Sequence, residues 1–133
     1  MRALTLALAC LACGGKPTPK QPPAPLAPKE LAKLLDSDMA TLGDIAQRKR
    51  GDCAAMTADL RPLVDRMKLH AVEVDRMVQD PVKARELRSE LARYSETARN
   101  DRMATDLGAT YLACASDERY QLERVISNIP TYD

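Results

Sequence analysis

The sequence contains no phenylalanine and no tryptophan, and only four tyrosines. Any core must therefore be aliphatic, filled by Leu, Ile, Val and Ala together with six methionines. There is a single histidine, His70, so none of the usual nucleophilic triads can be assembled without unusual partners. Five glycines build no phosphate-cradling loop, and no serine sits in a nucleophile-elbow signature. These absences point away from an enzyme. No apolar run approaches the roughly 18 residues of a spanning helix; the longest is Ala3 to Ala12. Nor is there a surplus of either charge, with 20 Lys and Arg against 19 Asp and Glu. Loss of a leader containing Arg2 would bring the chain to neutrality, which excludes nucleic acid as an expected partner.

What the N-terminus does contain is a short positive start, Met1-Arg2, followed by the apolar stretch from Ala3 to Ala12 and then Cys13-Gly14-Gly15-Lys16. This order is that of a secretion signal, with small residues before each cysteine. Leu11-Ala12-Cys13 resembles the lipobox of bacterial lipoproteins. The resemblance implies cleavage after Ala12, acylation of Cys13 and anchoring in a bilayer through its acyl chains. Cys10 is the alternative site but leaves a shorter apolar stretch, and Ala7-Leu8-Ala9 offers an ordinary secretory cleavage site. With no Asp after Cys13, the resemblance implies the outer membrane, with the domain facing the periplasm. Residues 16–28 carry six prolines in 13 positions, which excludes helix and favours polyproline II. At about 3.1 Å per residue this tether reaches about 40 Å. The expected organisation is a signal peptide over 1–12, a lipidated cysteine and tether over 13–28, and a folded domain over 29–133.

From Lys29 the apolar pattern is helical throughout, and no period-2 strand pattern occurs. Leu31, Leu34, Leu35, Met39, Leu42, Ile45 and Ala46 form one stripe, ended by Arg48-Lys49-Arg50-Gly51. Asp52 is placed to cap the next helix, whose stripe runs from Leu60 to Val78 with Pro62 in its first turn or at a kink. Asp80-Pro81 opens a third helix; the stripe lapses between Ser95 and Arg102 and then resumes to Ile129. The expectation is an all-α, up-and-down bundle of four antiparallel helices near 29–50, 52–79, 81–99 and 101–129.

Cys53 and Cys114 are expected to form a disulfide in an oxidising compartment, closing a loop of about 60 residues. A fourth helix beginning at Asp101 would put Cys114 about 20 Å from the end where Cys53 sits. A helix unbroken from Pro81 to Cys114, followed by a short one capped at Ser116, would bring the two together, so the disulfide argues against a break at 100.

Residues 38–60, DMATLGDIAQRKRGDCAAMTADL, resemble the first two helices of the periplasmic b-type cytochromes with a four-helix bundle, through Met39, Thr41, Leu42, Asp44, Asp52, Ala54, Ala55 and Asp59. The resemblance implies haem b held by a first-helix methionine, here Met39, and a last-helix histidine. Residues 101–133 contain no histidine. His70 is an unsuitable substitute, because its register from Gly51 differs from that of Met39 by about 10 Å of helix rise. His70 reads instead as an imidazole at the edge of an apolar stripe. A soft copper site from Met67, His70 and Met77 is the other metal reading, with Met39 a further candidate ligand, since thioether and imidazole suit Cu(I). Abundant carboxylates adjoin bases, as at Arg85-Glu86 and Glu118-Arg119, and read as solvated helix faces.

The functional expectation is a membrane-anchored envelope lipoprotein whose bundle is a structural or protein-binding module. Its expected partners are the bilayer and another envelope protein. A haem or metal carrier is the alternative, and a small chaperone-like or inhibitor bundle the third reading.

Overall fold

The computed structural model describes Gly15, Thr18, Pro19 and residues 23–132. Cys10, Cys13 and the signal peptide lie outside the described residues, as does much of the tether. The described residues form five α-helices and no strand: α1 Pro28–Arg48, α2 Cys53–Met77, α3 Pro81–Ala92, α4 Thr97–Ala113 and α5 Ser116–Ile126.

Local chemistry sets most of these ends. Pro28 starts α1 where its missing N–H costs nothing, and the Glu30 carboxylate accepts the Ala27 N–H at 3.2 Å. After α1, Gly51 takes a left-handed φ of 84°, the conformation that glycine adopts most easily. Asp52 then caps α2 by accepting the Ala55 N–H at 2.9 Å, and Asp80 caps α3 by accepting from Val82 at 2.9 Å. Pro62 lies in the interior of α2 and not in its first turn. It leaves the Ala58 carbonyl without its helical donor.

The sequence pattern predicts four helices; the described chain has five. The third expected helix stops early, at Ala92, where Arg93 and Tyr94 tighten onto the Glu90 and Leu91 carbonyls. The last expected helix is divided after Ala113. Cys114 is extended there (φ −68°, ψ 142°) and bonded to Cys53, with the two Cα atoms 5.7 Å apart. Both the pairing and the short helix after Cys114 agree with the disulfide argument. The unbroken run from Pro81 does not: the chain breaks at residues 93–96. The N-cap of α5 is Ala115, so Ser116 is its first helical residue.

Helix α1 packs against α2, α3 and α4, and α2 also receives α5. The buried residues fall into two apolar clusters. The larger joins Leu42 and Ile45 of α1 to Met56, Leu60, Leu63 and Met67 of α2 and Leu122 of α5. The smaller joins Leu31 and Leu35 of α1 to Met77 of α2 and Leu87 of α3. Tyr132, beyond α5, packs on both. Helix α4 is seated more thinly. Thr110 is its one fully buried residue, while Met103 and Leu107 are only partly covered.

The disulfide spans 61 residues, and a loop of that length stabilises by about 4 kcal/mol in the chain-entropy treatment. That is a large share of the total for a domain of this size. Replacing Cys53 and Cys114 together by alanine is expected to lower stability by about that amount. Urea unfolding of the oxidised protein and of the double variant measures the difference; equal midpoints would show that the helices hold the chain without the cross-link.

Candidate functional site

Buried positions along α1 alternate at four and three residues: Leu31, Leu35, Asp38, Leu42, Ile45. Asp38 therefore occupies a core position, and its side chain is 1% exposed. The facing stripe of α2 runs through Leu60, Leu63, Met67, His70, Val74 and Met77, so the single histidine also lies at a core register. The two meet. Asp38 Oδ2 accepts from His70 Nδ1 at 2.5 Å, and Oδ1 accepts from Arg66 Nε at 2.8 Å. Arg66 and His70 are four residues apart on one face of α2, the spacing needed to reach both oxygens of one carboxylate. The Arg66 side chain is half in solvent, so the guanidinium bridges the buried charge to water.

Tyr132 adjoins this node from the C-terminal tail. Its hydroxyl donates to the Met67 carbonyl at 3.3 Å. Burial, and secondarily the negative charge of Asp38, push the phenol up to about 12. The node is thus a carboxylate held by two donors, beside a phenol that stays protonated. It orders α1, α2 and the tail against one another at the seam between the two apolar clusters.

Beside it lies an open groove of about 580 Å³ between α1, α4 and the tail. Met39 and Leu42 of α1, Met103 and Leu107 of α4, and Ile126 and Ile129 line its apolar part. Its polar residues include Ser95, Asn100, Thr131 and an ion pair in which Arg99 Nη2 donates to Asp36 Oδ1 at 2.8 Å. The Arg99 Nε is buried without a hydrogen-bond partner. The groove arises where α4 is thinly seated. Arg99 fastens the beginning of α4 to α1, while Thr110, which accepts the Gly51 N–H at 2.9 Å, and the Cys114 disulfide fasten its end.

The structure separates the candidate metal ligands. Met39 lines the groove, Met67 is wholly buried in the larger cluster, Met77 lies in the smaller one, and His70 is turned to Asp38. No histidine shares the groove lining with Met39, so the residues present do not fit the methionine–histidine haem site that the resemblance implies. Among the described residues no group of three or more His, Cys, Asp and Glu could hold a metal ion. Asp38, Arg66, Arg99 and Tyr132 were not singled out by the sequence reading. The signal for Asp38 was its position, three after Leu35 and four before Leu42. Comparison with protein-family models, curated proteins and solved structures finds no match to this chain.

Two outcomes test the node. Removing His70 leaves a buried carboxylate short of a donor, so His70→Ala is expected to cost about 3 kcal/mol; replacing both partners, as in Asp38→Leu with His70→Leu, is expected to cost far less. Chemical denaturation of the three proteins decides it, and a double variant as unstable as the single one would refute this account. The second outcome concerns alkaline pH. The unfolded chain releases the Tyr132 proton near 10.0 and the folded chain near 12, so stability falls between those values and levels off above them. Tyrosinate absorbance should show a late step near 12 that is missing in Tyr132→Phe.

Proposed function

We propose that this chain is a lipid-anchored envelope protein whose helical bundle is a binding module working through the groove between α1, α4 and the tail. The observation that carries the reading is the groove itself. Its volume of about 580 Å³ lies within the roughly 300–1,000 Å³ of ligand sites, and its walls are apolar with a few polar groups. Those polar groups are an ion pair, an amide and hydroxyls, which suit recognition better than proton transfer or nucleophilic attack. In this reading the five helices are an up-and-down bundle of four positions, with α3 and α4 end to end along α1 in the third and α5 returning beside α2 and α4 in the last. Cys13 carries the anchor, and the proline tract keeps the start of the folded domain within about 40 Å of the bilayer. The occupant is then a component of the envelope, whether another protein or a membrane constituent.

Placing a photo-cross-linking residue at Met103, inside the groove, and separately at Leu69, which is 69% exposed and outside it, tests the module. A discrete adduct from position 103 and none from 69, in the membrane fraction of a native host, is the expected result. No adduct from either position, or the same adducts from both, would remove the groove as the working surface. Intact mass of the same material should show a chain that begins at Cys13 and carries acyl groups.

A further inference from the structure

We infer that the groove takes a single-chain amphiphile ending in a carboxylate, a fatty acid of about laurate's length. This rests on the reading that the groove is the working site, and it names the chemistry of the occupant. The apolar part is one continuous strip. Along α4 the distance from Arg99 to Leu107 is about 12 Å, and Met103 lies on the same face between them. Met39 faces this strip from α1, so the floor carries two thioethers, the side chains that adapt best to a flexible chain. A strip of this kind fits one acyl chain rather than the paired chains of a phospholipid.

The head group is specified by the polar residues. Arg99 uses one η nitrogen on Asp36, which shows that a carboxylate sits well against this guanidinium, and its buried Nε has no partner. A ligand carboxylate that turns this guanidinium enough to uncover Nε, and accepts from Nε and from the second N–H of the adjacent Nη2, would make the two-pronged contact that arginine favours. The same end of the groove adjoins the beginning of α4. The N-cap there, Glu96, makes no side-chain capping bond, so the first N–H groups of a 17-residue helix lack a side-chain acceptor. Asn100, Ser95 and Thr131 add neutral donors. Asp36 sets the affinity: it neutralises Arg99 in the empty groove, and a bound carboxylate must share the guanidinium with it.

Titration calorimetry of the full mature chain with laurate, lauryl alcohol and lauroyl lysophosphatidylcholine is the test. Laurate is expected to bind one to one. Arg99→Gln should weaken laurate roughly tenfold and leave lauryl alcohol unchanged. Asp36→Asn should tighten laurate, a gain that loss of folding cannot imitate. Met103→Trp, which fills the strip, should abolish both ligands. Absence of laurate binding overturns the inference, as does an equal effect of Arg99→Gln on acid and alcohol, or tighter binding of the lysophospholipid. If laurate fails while Met103 still cross-links to a protein, the binding module stands with a different occupant. If both fail, the groove is not a site.

Discussion

The bond between Asp38 and His70 is the constraint on which the arrangement of the helices depends. Helices α1 and α2 each carry apolar residues at alternating steps of three and four, a pattern that by itself permits them to slide by one repeat along each other. A carboxylate at one core position and an imidazole at the facing one remove that freedom, because any other register buries each against aliphatic carbon. The node adds little net stability in return. Its worth lies in what the alternatives would cost, as with a buried asparagine in a coiled coil. It also divides the core: the apolar clusters on either side of the node are bridged by Tyr132, whose ring touches both and whose hydroxyl finds the Met67 carbonyl.

With α1 and α2 fixed, the rest of the chain is placed by covalent and ionic fastenings more than by burial. Helix α4 buries one residue, Thr110, completely, and could not be positioned by its apolar face alone. The disulfide at its C-terminal end and the Arg99–Asp36 pair at its N-terminal end hold it at two points. Between those points its apolar side chains are only partly covered. The groove is therefore a consequence of the way α4 is held: a helix pinned at its ends over a surface that it does not fill.

The all-α class was legible because a 3.6-residue pattern in an aliphatic chain with no alternating segment has one reading. The disulfide was legible because a lone pair of cysteines in a domain whose leader reads as a secretion signal has few other expected fates. Helix count was less so. Residues 93–96 contain neither glycine nor proline, and the break there comes from the chain turning at Tyr94 onto the smaller cluster, a tertiary effect. Asp38 was hidden by its neighbour. Met39 fits an apolar stripe equally well on a helical wheel, and only packing shows that Asp38 faces α2 while Met39 faces the groove. Arg99 was hidden for the opposite reason: a charged residue where the apolar stripe lapses reads as a solvated face, yet its guanidinium reaches 63 residues back along the chain to Asp36.

The two polar sites differ in a way that bears on function. At the node, both carboxylate oxygens are bonded, and Arg66 carries the buried charge out to water. Such a site has reached its lowest energy without any ligand. At the groove, one guanidinium nitrogen is bonded and another is buried and unpaired, beside apolar side chains that the fold leaves partly uncovered. Both deficits, unpaired donor and uncovered aliphatic surface, are relieved by a molecule that has an anionic end and an apolar body. The groove thus sets an unpaired donor next to uncovered aliphatic surface, and binding there has free energy to gain from both.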